Sequence, residues 1–217
     1  MNAEATGTPD GITASARELR RRNKKRQIVE AAREVFLREG FSGASVDAIV
    51  HKAGVSKRTL YSYYAGKEEI FIDVMQMQLG ALYRQFETDP KHPGRLADRL
   101  QRIGVELLRI ANSPQTLALF RITAAEANRF PALARLFFEE RFEKVIDGIA
   151  AMLEQEGGSS GVRIGDARQA GEHFLDLVFG TAYHRVVFGT IPPMNARAIE
   201  ARVRRALAYF LEAYRTR

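Results

Sequence analysis

Seven polar or charged side chains crowd into one short stretch, Ser56, Lys57, Arg58, Thr59, Tyr61, Ser62 and Tyr63, broken only by Leu60. Wound at about 100° per residue, the stretch places Leu60 and Tyr64 on one side of a short helix. Arg58, Tyr61 and Ser62 fall on the opposite side, Thr59 flanks them, and Ser56 and Lys57 lie near the edges. Arginine is the side chain best suited to the N7 and O6 acceptors of guanine in a major groove, while Tyr and Ser hydroxyls suit phosphate oxygens. A helix this short gains nothing for itself from a basic outward face, so that face is expected to meet a partner. A merely solvated face is the alternative.

Two further groups of cations point the same way. Lys67 opens a helix where the macrodipole disfavours positive charge and favours its neighbours Glu68 and Glu69, a placement that a phosphate near the free N–H groups would explain. Upstream, Arg20-Arg21-Arg22-Asn23-Lys24-Lys25-Arg26 sets six cations in seven residues. Such an arm, with Arg22, Lys24 and Lys25 as its candidate contacts, can follow a phosphate backbone or enter a minor groove.

Holding these groups in place requires helices. Ile28, Ala31, Ala32, Val35 and Phe36 recur at helical spacing and Gly40 follows as a C-cap, which predicts a helix over about residues 21 to 39. Ser45 caps a second helix carrying Val46, Ile49 and Val50, Gly54 makes the turn, and Ser56 caps a third running to about Tyr63. Longer helices follow over about 67 to 87, 96 to 111, 114 to 128, 131 to 156, 166 to 188 and 195 to 215, and no segment sustains the alternation of a strand. The expected fold is all-α with about nine helices. Residues 1–19 read as a disordered arm, 20–66 as a three-helix unit containing a helix-turn-helix, and 67–217 as a larger helical body.

Composition agrees. The 217 residues are 46% hydrophobic and 27% charged with no cysteine, which describes a globular protein without disulfides, thiolate metal sites or cysteine nucleophiles. The net charge of +7 is concentrated at one end: residues 1–67 hold 13 Lys/Arg against 7 Asp/Glu, whereas residues 68–217 hold 20 against 19. A polyanion-binding end joined to an electrically balanced body is the expected organisation. Met1 to Ser15 lack the apolar core of a signal peptide and no run approaches a membrane span, so a cytoplasmic location is expected.

The run from Ile28 to Ile70, IVEAAREVFLREGFSGASVDAIVHKAGVSKRTLYSYYAGKEEI, resembles the N-terminal DNA-binding domain of TetR-family transcriptional regulators. The resemblance rests on Phe36, Gly40-Phe41, Val46, Ile49, Ala53-Gly54-Val55-Ser56, Leu60-Tyr61 and Lys67-Glu68-Glu69. Ser45 stands where Thr is frequent in the family and keeps the capping oxygen. Arg58 stands where Gly or Ala is frequent, so base preferences do not transfer from relatives. The stretch Phe120 to Pro131 is similar, over a shorter span, to the C-terminal domain of the AefR-like regulators.

The resemblance implies a homodimer whose last two helices form an intersubunit four-helix bundle and whose middle helices enclose a ligand cavity. The residues allow this: Ile199, Val203, Ala206, Leu207, Phe210 and Leu211 form a seam, and Gly180, Thr181 and Ala182 would permit close approach of a helix. Met75, Leu79, Leu107, Phe120, Phe137, Phe142, Phe174 and Tyr183 are the candidate lining of a cavity for an apolar or aromatic molecule, with Glu126, Arg121, His173, Asp176 and His184 available to orient it. The expected function is a ligand-responsive transcriptional regulator, most simply a repressor released from a near-palindromic operator. The rival is a nucleoid-associated or adaptor protein whose body binds another protein. No hydrolase, metalloprotease or nucleotide-binding motif is present, and neither an enzyme activity, a cofactor nor a metal is expected.

Overall fold

The structure, a computed structural model, describes residues 16–88, 94–155 and 162–215. Among these are ten α-helices: α1 (Ala16–Gly43), α2 (Val46–Ala53), α3 (Lys57–Tyr61), α4 (Lys67–Thr88), α5 (Leu96–Ala111), α6 (Pro114–Glu126), α7 (Pro131–Phe138), α8 (Lys144–Gln155), α9 (Ala167–Val187) and α10 (Ala196–Ala213). The fold is all-α. A lone bridge between Val162 and Arg215 ties the end of the chain to the start of α9. None of the described helices is long and apolar enough to cross a membrane.

Local signals set most boundaries. The Ser45 hydroxyl accepts the N–H of Ala48, and that of Ser56 accepts the N–H of Thr59, so both short helices start on the oxygen expected of them. Gly54 ends α2 at φ 61°, a left-handed conformation that costs glycine nothing and permits the tight turn into α3. The first helix starts at Ala16, earlier than expected. Residues 16–19, assigned above to the arm, are good helix formers, and Glu18 complements the dipole. Residues 1–15 of that arm lie outside the described residues.

The single helix expected over about 131 to 156 is two. A five-residue π turn, Glu139–Glu143, separates α7 from α8 and raises the count from nine to ten. The wider turn adds a residue to the register. Ala134, Phe137 and Phe138 before it therefore share a face with Phe142, Glu143 and Ile146 after it, a set that an uninterrupted 3.6-residue period would not bring together.

A second irregularity lies in α9. Gly180 has φ 46° and ψ −167°, which breaks the helical path between two otherwise regular halves. The carbonyls of Leu177 and Val178, whose regular partners lie beyond that break, instead accept from Arg202 of α10, with Nη2 at 3.3 Å and Nε at 2.5 Å. A Cβ at residue 180 would meet only the mobile end of this arginine, so it is the positive φ that calls for glycine.

Two large cores hold the described residues, beside a smaller cluster of Ala111, Leu117, Tyr183, Val186 and Val187. One unites α5, α8, α9 and α10 around Leu100, Leu108, Ile149, Phe174, Val203 and Phe210. The other begins in the first three helices and continues into the body: Phe36, Phe41 and Phe71 pack ring against ring at 5.0 to 5.7 Å, and Leu119, Leu133 and Phe137 of α6 and α7 join the same cluster. Burying side chains of this size stabilises by about 1.5 to 3 kcal/mol each. The helix-turn-helix therefore shares its core with the body rather than hanging from a linker.

Candidate nucleic-acid interface and internal cavity

Helix α3 is amphipathic as its sequence requires. Leu60 is fully buried and Tyr64 nearly so, while Arg58, Tyr61 and Ser62 are exposed. Arg58 and Tyr61 make no hydrogen bond or ion pair among the described residues. Tyr61, 54% exposed, presents a large ring to water. The hydroxyls nearby are partly spent on the backbone: Ser45 and Ser56 cap helices, the Ser56 and Thr59 hydroxyls share a bond of 2.9 Å, and Ser62 donates to the Thr59 carbonyl at 2.6 Å. Lys57 pairs with Asp47 at 2.6 Å, an exposed contact across the turn.

The basic arm divides. Arg22 is exposed and has no side-chain partner among the described residues, Lys24 donates to Gln27 at 2.9 Å, and Arg21 lies over the Tyr63 ring at 5.8 Å. Lys25 is engaged otherwise than expected: it pairs with Asp73 of α4 at 2.6 Å and sits over the Tyr64 ring. Tyr64 donates to the same carboxylate oxygen at 2.8 Å. Burial and this carboxylate push the Tyr64 phenol far above its usual range, so it stays a donor. Asp73 thereby fastens α1 and the end of the recognition segment to α4, with Lys25, half exposed, bracing the head.

Lys67 is also engaged within the chain. Its ammonium donates to the carbonyls of Phe41 at 2.8 Å, Ala44 at 3.0 Å and Ser42 at 3.4 Å, and lies 4.7 Å from the Phe41 ring centroid. An ammonium has three protons, and all three are taken. The carbonyls closing the end of α1 account for the cation accepted in the first turn of α4.

The same turn is gripped from the body. Glu126, the last residue of α6, accepts the Ser42 N–H at 3.3 Å, Arg129 donates to the Ser42 hydroxyl at 3.1 Å, and the Phe130 ring meets Phe41 edge-on at 5.0 Å. Residues 41–44 are thus held at once by α4 and by the C-terminal end of α6.

One turn back along α6 lies a cavity of about 820 Å³. Phe120, Thr123, Ala124 and Ala127 of α6, Ala134, Phe137 and Phe138 of α7, Phe142 and Glu143 of the π turn, Ile146 of α8, and the α9 face from Glu172 to His184 form its described wall. Of the expected lining, Phe120, Phe137, Phe142 and Tyr183 are there. Leu107 and Phe174 are not: they are buried in the α5–α10 core, because the apolar stripes of α5 and α9 that carry them face one another. Met75 is buried in the core shared with the head and borders only a small void of about 180 Å³. The Leu79 side chain lies outside the described residues.

The polar candidates separate equally cleanly. Asp176 and His184 reach the cavity wall. Arg121 instead donates to the carbonyls of Val186 and Val187 at the end of α9, where a cation suits the dipole. His173 Nδ1 pairs with the Tyr214 hydroxyl at 2.7 Å, and Glu126 holds Ser42. The residues that sequence reasoning missed, among them Thr123, Ala134, Phe138, Phe179 and Gly180, gave no signal of their own.

Residues 28–74 match the tetR family of bacterial regulatory proteins, and residues 98–216 match the C-terminal domain of AefR-like transcriptional repressors. The Fatty acid metabolism regulator protein of Bacillus subtilis is 26% identical over 166 residues, 74% of this chain and 80% of that protein. A transcriptional regulator from Mesorhizobium loti superposes with a TM-score of 0.78 at 25% identity, covering 94% of this chain and all of the other. The Flavonoid-responsive Regulator FrrA does so with a TM-score of 0.72 at 33% identity, covering 90% and 98%.

Proposed function

Because this chain belongs to the TetR family of transcriptional regulators, with an AefR-like C-terminal domain, we propose that it is a repressor released from its operator by a small hydrophobic or aromatic effector. Residues 20–66 serve as the DNA-binding domain and 67–217 as the effector-binding and dimerisation domain. The observation that carries this reading is the double engagement of α6. Thr123, Ala124 and Ala127 face the cavity, while Glu126 and Arg129 just beyond them hold Ser42 of the head. A ligand that shifts this segment moves the turn on which α2 and α3 are hung. To carry the population from 1:99 to 99:1 it must favour the released conformation by about 5.5 kcal/mol. Apolar surface buried in the cavity contributes about 25 cal/mol per Å² towards that.

A second copy of the chain completes the reader. Phe188 at the end of α9 and Tyr209 on α10 are 80% and 69% exposed, large apolar side chains left in water on the two C-terminal helices. They support packing of these helices against their symmetry mates, which sets two α3 helices into successive major grooves about 34 to 36 Å apart. Arg58, Thr59, Tyr61, Ser62 and Tyr63 form the proposed reading face, with Arg22 and Lys24 alongside on α1.

The test is selection of bound fragments from random DNA by the purified dimer, followed by release with candidate effectors. Two inverted half-sites are expected, and an asymmetric consensus, or none, overturns the reading. Arg58→Ala should relax preference at one symmetric pair of operator positions, with about 1 to 3 kcal/mol of discrimination lost per contact. Equal weakening on every sequence would instead put Arg58 on the phosphates.

A further inference from the structure

Six aromatic rings of the cavity wall form an unbroken chain. Phe138 stacks on Phe142 at 4.8 Å, Phe142 meets Phe179 at 6.4 Å, Phe179 meets Tyr183 at 4.9 Å, Tyr183 meets Phe120 at 6.4 Å and Phe120 meets Phe137 at 5.6 Å. The ionisable groups on the described wall are Glu143, Glu172, Asp176 and His184. Among the described side chains the Arg168 guanidinium serves this side of the cavity: it pairs with Glu143 and Asp147 and stands 3.9 Å from Glu172. Asp176 has neither a hydrogen bond nor an ion pair among the described residues, and it lies one helical turn from Phe179 on the same face of α9.

Resting on the effector-sensing function proposed above, we infer that the effector is an aromatic cation, held with its rings among the phenylalanines and its positive charge against Asp176. Ring faces carry negative potential and attract a cation directly, and a carboxylate beside them adds a full charge to the same preference. An amphiphile whose polar end is anionic, such as an acyl-coenzyme A, would bring phosphates against three carboxylates served by one arginine. A neutral polyphenol fits the rings but gains no charge contact with Asp176, whose exposed carboxylate is otherwise met by water. The cavity is therefore selective by charge as well as by shape.

The test uses two dyes that share a xanthene skeleton and differ in charge, cationic rhodamine 6G and anionic fluorescein, with stearoyl-coenzyme A and the neutral flavonoid naringenin beside them. Binding to the full-length dimer is read by anisotropy and calorimetry, and function by release of operator DNA. Rhodamine 6G should bind at least about tenfold more tightly than fluorescein, Asp176→Asn should weaken it about fivefold while leaving naringenin unchanged, and added salt should weaken it further. Asp176→Arg should reverse the preference between the dyes, with naringenin again reporting that the cavity is intact. Fluorescein or stearoyl-coenzyme A binding as tightly as rhodamine 6G, or an unaltered rhodamine 6G affinity in Asp176→Asn, overturns the inference. If an anionic or neutral compound alone binds and releases DNA, effector sensing stands and the charge preference falls. If no compound of any charge binds, both fall together.

Discussion

Lys67→Met is expected to lower the stability of the protein by about 2 to 4 kcal/mol while leaving the salt dependence of DNA binding unchanged. Methionine keeps much of the aliphatic length and removes the three donors. The carbonyls of Phe41, Ser42 and Ala44 then lose a charge-assisted partner at the half-buried end of α1. Charge-assisted hydrogen bonds contribute about 1.5 to 3 kcal/mol each, and bonds sharing one ammonium do not add fully. For a chain of this length the loss corresponds to a fall in Tm of roughly 5 to 15 °C, readable by calorimetry. Operator affinity should weaken on all sequences alike, because the turn that carries α2 loosens. A phosphate contact would show the opposite pattern, with Tm nearly constant and the logarithmic salt slope reduced by about one for each lysine.

Ala134→Trp is expected to abolish the effector response. Ala134 lies on the cavity wall beside Phe137 and Phe138, in the helix that follows Glu126 and Arg129, the residues that hold Ser42. An indole there occupies space meant for ligand at an overpacking cost of about 1 to 3 kcal/mol, and should weaken effector binding more than about a hundredfold. Operator binding in the absence of effector should either persist, giving a permanently repressing protein, or fall, if the indole mimics ligand. A variant with the parental Tm, operator affinity and effector response would place the sensor elsewhere. Leu107→Trp offers no such test, because Leu107 is buried in the core between α5 and its neighbours and its enlargement reports only on packing.

The parts legible in the sequence were those governed by neighbours along the chain. Ser45, Gly54 and Ser56 shape their helices through bonds spanning three or four residues, so residue type and spacing suffice to place them. The two faces of α3 follow from winding alone. Lys67 misled because its partners lie 23 to 26 residues upstream: an ion in an awkward place signals a partner without saying which. Lys25 misled for the same reason, its carboxylate being on α4. Phe174 and Leu107 sit on apolar stripes of the same kind as those bearing Phe120 and Tyr183. Whether such a stripe meets a neighbouring helix or a void is decided by packing, which periodicity does not encode.

The π turn at Glu139–Glu143 carries a consequence for how such a protein changes over generations. A π turn is how one extra residue is taken up while the helix on either side keeps its face, so loss of a single codon there would restore the ordinary helical pitch and leave α7 and α8 facing the cavity as they do. Only the turn itself, with Phe142 and Glu143 on the cavity wall, would be rebuilt. The reading face of α3 lies some eighty residues away in sequence, so a change of length here alters the cavity directly and reaches α3 only through the buried cluster that Leu60 and Phe137 share.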